Sequence, residues 1–215
     1  MNLDLLGYGN PNQNHLSWIN KESYLDSLFA ELTQFSFPKN SSEATKEELN
    51  YLIQRIKETQ LDKEKQELYQ TFDVYLDEYY INFLSQYNIP KEKVEPIIES
   101  IHDDIKPITV KLKYFFQRPR PYQLAYYYKL KLMPFMTLGA DSPSFPSGHA
   151  IESKVLSEVL GNMFPEIYVP LSKIAEDVCE SRIGLGVHYQ SDIDVGVYVA
   201  EKICETKEFM IKYQL

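Results

Sequence analysis

Apolar side chains recur every three to four residues through most of this chain, which is the spacing of amphipathic helices. The pattern predicts helices from Lys21 to about Phe35, from about Thr45 to Gln60, over residues 63–87 and over residues 91–116. Residues 1–20 are rich in Asn, Gly and Pro, so we expect them to form an irregular arm. Thr45 and Glu48 have the spacing of a capping box at the start of the second helix.

Prolines divide the rest of the chain. Pro96 and Pro107 are expected to interrupt or kink the fourth helix, and RPRP at 118–121 to end it. Residues 119–147 contain five prolines and predict a long connection with one helical piece, and connections of this length tend to be functional.

Three helices are predicted in the C-terminal part, at Gly148 to about Met163, roughly 166–184 and about Ser191 to Lys212. No segment shows the sustained two-residue alternation of a strand. The sequence therefore predicts an all-α, single-domain helical bundle over residues 1–215. Its N-terminal arm and first helix occupy residues 1–43.

Composition narrows the class of protein. Hydrophobic residues make up 44% of the 215 positions and charged residues 25%, which is typical of a globular domain. A net charge of −9 disfavours binding to nucleic-acid polymers. The two cysteines, Cys179 and Cys204, are interpreted as reduced, buried thiols with no disulfide or metal role.

The first residues show no basic segment followed by an apolar run, so we expect no secretory signal. No apolar run approaches the 18 residues of a membrane span. These features lead us to expect a soluble, cytoplasmic protein without a membrane span, and a helical surface rich in aromatic residues that allows a homo-oligomer.

The segment SRIGLGVHYQSD, residues 181–192, concentrates polar side chains with chemical potential. Arg182 is a planar cation suited to an oxyanion. His188 and Asp192 are four residues apart, which on a helix would allow the carboxylate to orient the imidazole. Gly184 and Gly186 are expected to end the helix and turn His188 inward. The alternative is a helix end with polar surface residues.

Two further segments are candidates for anion binding. Lys111 and Arg118 lie two helical turns apart, about 10 Å along one face, although such a pair is also typical of a solvated surface. Ser147 and Gly148 precede a predicted helix, whose free N–H groups attract phosphate. His149 follows them, either at the edge of that anion site or as a cap or core residue.

Together the three segments give KxxxxxxRP at 111–119, PSGH at 146–149 and SRxxxxxHxxxD at 181–192. This combination resembles the type 2 phosphatidic acid phosphatase (PAP2) and vanadium haloperoxidase superfamily, which includes soluble bacterial acid phosphatases. The resemblance covers residues 111–192 and implies the all-α bundle of that superfamily. It implies a phosphate-binding set made of Lys111, Arg118, Ser147, Gly148 and Arg182.

The resemblance also implies catalytic roles. His188 corresponds to the nucleophile that forms a phosphohistidine, Asp192 to the residue that orients it, and His149 to the general acid and base. It implies hydrolysis without a metal or other cofactor, with vanadate as an inhibitor. The implied function is a metal-independent phosphohydrolase acting on a small, soluble phosphate monoester or phosphoanhydride.

Two other functions are also compatible with these motifs. One is a vanadate-dependent haloperoxidase, in which vanadate would be the prosthetic group, and the other is a catalytically silent phosphate-binding protein. Arg120 and four tyrosines either shape a substrate entrance or simply pack the long connection; the tyrosines are Tyr122, Tyr126, Tyr127 and Tyr128. The pair His102-Asp103, followed by Asp104, resembles a metal motif, but the other ligands lack candidates, so His102 is interpreted as an ordinary helical residue.

Overall fold

A computed structural model describes residues 2–215, which form eleven α-helices and three short 3₁₀ turns and contain no strand. The all-α prediction is confirmed. The helices are α1 (Gln13–Ile19), α2 (Phe29–Leu32), α3 (Glu43–Leu61), α4 (Lys63–Val74), α5 (Leu76–Ser85), α6 (Lys91–Phe116), α7 (Pro121–Tyr127), α8 (Gly148–Met163), α9 (Tyr168–Gly184), α10 (Gln190–Cys204) and α11 (Lys207–Tyr213).

The N-terminal segments differ from the prediction. The expected irregular arm contains α1, which begins where the Asn12 side chain accepts a hydrogen bond from the His15 N–H at 2.8 Å. The helix expected over residues 21–35 is instead a 3₁₀ turn followed by the single turn of α2. Ser23 and Asp26 form a capping box that fixes this tight turn.

Local capping also moves the start of α3. Ser42, rather than Thr45, caps this helix, because the Ser42 hydroxyl accepts a hydrogen bond from the Thr45 N–H at 3.2 Å. The predicted Thr45–Glu48 capping box is therefore wrong, and the Glu48 carboxylate is available for a different contact. The helix predicted over residues 63–87 breaks at Tyr75, where φ is −129° and ψ is 38°.

The long helix α6 runs through both internal prolines and ends at Gln117, whose φ of 57° is left-handed. Its buried face holds Val94, Ile98, Ile101, Ile105 and Ile108. The last predicted helix is divided into α10 and α11 by a turn after Cys204.

Helix α8 lies at the centre of the C-terminal half, where it packs against α6, α9 and α10. Helices α3 and α4 cover the other side of α9. Gly196 lets α10 approach the start of α8, since a Cβ there would lie 2.9 Å from the Ser147 carbonyl oxygen. The Ser147 N–H also donates to the Asp192 carbonyl at 3.0 Å. This packing brings the beginnings of α8 and α10 together.

Candidate active site

His188 lies in the loop between α9 and α10, and two glycines shape that loop. Helix α9 ends at Gly184, as predicted. Gly186 has a φ of +76°, which favours glycine, and a Cβ at this position would collide with Ile56. Because the helix ends before it, His188 and Asp192 do not share a helix face as the sequence suggested. They still meet, with His188 Nδ1 3.1 Å from Asp192 Oδ2.

The neighbours of His188 define which nitrogen carries its proton. Arg120 Nη1 lies 2.9 Å from His188 Nε2. A guanidinium only donates hydrogen bonds, so Nε2 accepts and Nδ1 carries the proton that is donated to Asp192. Burial, followed by the charge of Arg120, holds the pKa of His188 well below its ordinary value. The side chain is therefore a neutral imidazole with its lone pair on Nε2.

The lysine and first arginine assigned from sequence require correction. The pattern KxxxxxxRP occurs twice, at 111–119 and again at 113–121. Lys111 Nζ lies 2.6 Å from Asp26 Oδ1 and 2.7 Å from the Lys21 carbonyl, away from His188. Two residues along an α-helix turn a side chain by about 200°. Lys113 therefore occupies the opposite face of α6 and reaches the site.

Lys113 and Arg120 are buried cations. Lys113 Nζ donates to the Pro143 carbonyl at 2.8 Å, and its side chain passes beside Gly148. Arg120 donates to the Ser142 carbonyl at 2.7 Å. Within residues 2–215 neither cation forms an ion pair with a carboxylate.

Burial and mutual repulsion oppose the charges of these two cations. Burial and the nearby guanidinium of Arg120 hold the pKa of Lys113 well below its ordinary value. Burial lowers the pKa of Arg120 to about 10, against the favourable charge of Asp192. The binding of an anion next to Lys113 and Arg120 would therefore be strongly favoured, because it would offset both effects.

Arg118, the second residue assigned from sequence, lies behind Asp192 rather than in the phosphate-binding set. Its Nη1 atom donates to Asp192 Oδ1 at 2.6 Å and its Nη2 atom to Glu48 Oε2 at 2.9 Å. The guanidinium also stacks 3.8 Å from the ring centre of Tyr189. Glu48 Oε1 accepts from the Ser191 hydroxyl at 2.7 Å. These contacts hold the Asp192 carboxylate in the orientation that contacts His188.

Arg182 enters the site from α9 and is fully buried. Its Nη2 atom donates to Asp73 Oδ1 at 2.7 Å. Its Nε and Nη1 atoms have no hydrogen-bond partner among the described residues. Asp73 on α4 was not identified from the sequence. The one signal that could have indicated it is its position as an acidic residue between the apolar Phe72 and Val74. Asp73 also accepts from the Leu138 N–H at 2.7 Å.

The first turn of α8 presents Ser147, Gly148 and His149. The Ser147 hydroxyl caps the helix by accepting from the Ala150 N–H at 3.4 Å. The half-buried His149 ring lies against Gly139, where a Cβ would be 2.6 Å from its Cε1 atom. Burial, followed by the charge of Arg182, lowers the pKa of His149 to about 3.

A cavity of about 500 Å³ opens onto this cluster, and Lys113, Gly148, His149 and His188 lie on its wall. His15, Trp18 and Lys106 also line this cavity. None of the four tyrosines from residues 122–128 lines this cavity. Tyr128 instead donates to the Asn40 carbonyl at 2.7 Å, which favours the packing interpretation for this ring, whereas Tyr126 is 78% exposed.

The site therefore unites Ser147, Gly148, His149, Arg182, His188 and Asp192 from the predicted set. It excludes Lys111 and places Arg118 one layer behind the cavity. It adds Lys113, Arg120 and Asp73. The first two share the predicted motif in a register shifted by two residues, so the sequence contained their signal.

Comparisons with known proteins show what this chain is similar to. Residues 105–204 match the model of the PAP2 superfamily. The chain is 35% identical over 91 residues to a non-specific acid phosphatase of Salmonella typhi, and 33% identical over 91 residues to one of Salmonella typhimurium. Each match covers 42% of this chain and 36% of the relative, so the chain spans about a third of the length of these relatives.

A solved structure has a similar fold. The first transmembrane PAP2-type phosphatidylglycerolphosphate phosphatase from Bacillus subtilis matches with a TM-score of 0.56 and 18% identity, over 87% of this chain and 94% of that one. The sequence led us to expect a protein without a membrane span, set apart from membrane proteins. This match contradicts that expectation, because the shared fold occurs in a transmembrane enzyme. Among residues 2–215, no helix is both long and apolar enough to cross a membrane.

All three motifs at the cavity, in the register 113–121, 146–149 and 181–192, fall inside the matched segment. The helices around them have the fold of a PAP2-type phosphatase. Residues 105–204 are therefore similar in sequence to the PAP2 superfamily, and the chain is similar in fold to a PAP2-type phosphatase.

Proposed function

We propose that this protein is a phosphatase that transfers a phosphoryl group to His188 and then to water. The observation that carries the proposal is a pair of buried cations, Lys113 and Arg120, which have no carboxylate partner among residues 2–215 and lie beside a neutral imidazole. Burying a charge without a partner is costly. An anion in the cavity would offset that cost, and the free nitrogens of Arg182 would add hydrogen bonds to it.

A phosphate group fits these donors better than a carboxylate. Three cations and the N-terminus of α8 together offer donors for the three non-bridging oxygens of a phosphoryl group. The same groups stabilise the charge that develops on those oxygens during transfer. The substrate class that follows is a phosphate monoester or phosphoanhydride.

His188 is the nucleophile of this reaction. Arg120 moves from His188 Nε2 to a phosphate oxygen, which frees the Nε2 lone pair to attack phosphorus. The new N–P bond forms as the bond from phosphorus to the leaving oxygen breaks. Asp192, held by Arg118, stabilises the positive charge on the ring through Nδ1–H. The product of this step is a phosphohistidine.

His149 supplies and recovers the proton. As the acid it protonates the leaving oxygen, and as the base it takes a proton from the water that attacks phosphohistidine. Burial and the charge of Arg182 disfavour its charged form, whereas a bound phosphate dianion would favour that form. Water addition breaks the N–P bond and returns neutral His188 with inorganic phosphate.

We further propose that hydrolysis requires no divalent cation, because Lys113, Arg120 and Arg182 provide the positive charge that stabilises phosphoryl transfer. The chain is similar to two non-specific acid phosphatases. This similarity supports the proposal of a phosphatase that accepts more than one leaving group.

The test measures phosphate release from p-nitrophenyl phosphate in excess EDTA, together with rapid acid-free quenching to trap a base-stable, acid-labile phosphoenzyme. We expect the wild-type protein to form it and His188→Ala to form none. His15→Gln is the matched control, because His15 lines the same cavity but bonds to Tyr114 at 2.8 Å. Full activity of His188→Ala would falsify the proposal.

A further inference from the structure

Three helices bring a histidine and two carboxylates together beside the active-site cavity. Asp77 lies in the first turn of α5, His102 in the middle of α6 and Glu152 in the second turn of α8. His102 Nε2 is 2.9 Å from Glu152 Oε1 and 3.4 Å from Asp77 Oδ1. One potential ligand atom from each residue lies within 4.8 Å of the others.

Two atoms of this cluster lack a hydrogen bond. Asp77 Oδ1 and His102 Nε2 are both shielded from solvent and have no hydrogen-bond partner within residues 2–215, since the short approach to Glu152 lacks hydrogen-bond geometry. Buried polar atoms normally have a partner. Their convergence on one point indicates a ligand that accepts electron pairs from both atoms.

The cluster differs from the His102-Asp103-Asp104 motif considered from the sequence. Asp104 accepts hydrogen bonds from Tyr24 and Tyr213, each at 2.8 Å. Asp103 lies 3.6 Å from Lys21 Nζ. The carboxylates that face His102 come from α5 and α8 instead, which explains why its neighbours in the sequence did not reveal them.

We propose that Asp77, His102 and Glu152 bind a divalent transition-metal cation of the zinc type. One imidazole nitrogen and two carboxylate oxygens are ligands that Zn²⁺ accepts, whereas Mg²⁺ and Ca²⁺ prefer oxygen alone. The observed separations are close to those between ligands about 2.0–2.2 Å from a common ion, so small rotations complete the site. Three protein ligands leave a position for water.

The site shares a wall with the catalytic cavity. His102 and Glu152 both line that cavity, and Glu152 is one helical turn beyond His149 on α8. Lys106, which lines the same cavity, opposes the cation, while the two carboxylates favour it. The metal would also tie α5, α6 and α8 together. It plays no part in the proposed phosphoryl transfer, so this inference does not depend on that reaction.

The experiment is isothermal titration calorimetry of the full, EDTA-treated and dialysed chain with ZnCl₂. We expect one Zn²⁺ per chain and at least tenfold weaker binding in each of His102→Gln, Asp77→Asn and Glu152→Gln. Titration with MgCl₂ should show at least tenfold weaker binding than Zn²⁺. Thermal denaturation with and without Zn²⁺ provides a second measurement, because a ligand specific to the folded state raises the melting temperature.

Two controls separate this cluster from adventitious binding. Asp103→Asn removes an exposed carboxylate beside His102, and His15→Gln removes another cavity histidine near a carboxylate, with Nε2 3.5 Å from Asp141. Both variants should bind Zn²⁺ like the wild type and show the same thermal shift. Absence of one-to-one binding in the wild type, unchanged binding in all three ligand variants, or loss of binding in His15→Gln would overturn the proposal. Should one ligand variant fail to fold, the other two decide the result.

Discussion

The two overlapping KxxxxxxRP patterns allow a direct test of which register forms the active site. The test compares Lys113→Met with Lys111→Met, because methionine keeps an unbranched apolar stem and removes only the charge. Lys113 contributes one of three cations near the proposed phosphate position. Removing a single preorganised donor from such a site lowers kcat by about 10²- to 10³-fold, or about 2.7–4 kcal/mol of transition-state stabilisation.

The two substitutions should affect the free energy of unfolding in the opposite order to kcat. Lys113 is buried and has no carboxylate partner among the described residues, so replacing it leaves no anion unpaired, and we expect the free energy of unfolding to stay equal or rise. Lys111 pairs with Asp26 at 2.6 Å, where the two side chains are 16% and 37% exposed. Solvent screens this pair, so its loss should cost about 1 kcal/mol or less. Its effect on kcat should be absent.

The assay combines kcat and kcat/KM for p-nitrophenyl phosphate with urea denaturation of both variants and the wild type. The expected pattern is a large kinetic loss without destabilisation for Lys113→Met, and slight destabilisation without kinetic loss for Lys111→Met. A kinetic loss confined to Lys111→Met would refute the assignment of Lys113 to the active site, since the hydrogen bonds of Lys111 among the described residues go to Lys21 and Asp26.

Three further predictions concern Arg118, His188 and Asp73. Arg118→Gln should lower kcat by at least tenfold with little change in KM, because Asp192 loses the contact that orients it, and the pH profile of kcat should shift with it. Burial and nearby positive charge depress the pKa of His188 from 6.5, so the unfolded chain binds more protons below that pH. Stability should be fully present above about pH 6.5 and fall as the pH decreases, and His188→Gln should show a flatter dependence in thermal denaturation. Asp73→Asn should leave Arg182 buried without its carboxylate, and we expect destabilisation of about 3–5 kcal/mol by urea denaturation; a change below 1 kcal/mol would contradict this account.

The sequence by itself determined the helical class and the three motifs. Periodic apolar residues predicted most helices of the C-terminal half. The start of α8 also has a local signal, because Ser147 stands directly before an amphipathic segment. The residues Ser147 to His149 and Arg182 to Asp192 were identified because their chemistry and spacing are contained within short segments. The two glycines before His188 also gave a local signal for the end of α9.

Tertiary structure decided what spacing alone left ambiguous. Two lysines two residues apart fit the same motif, and only the packing of α6 against α8 directs Lys113 inward and Lys111 toward Asp26. Asp73 meets Arg182 across 109 residues of sequence. Asp77 likewise approaches His102 from a separate helix. Such contacts depend on how helices pack, and a pattern read along one helix contains no information about the side chains that another helix brings to it.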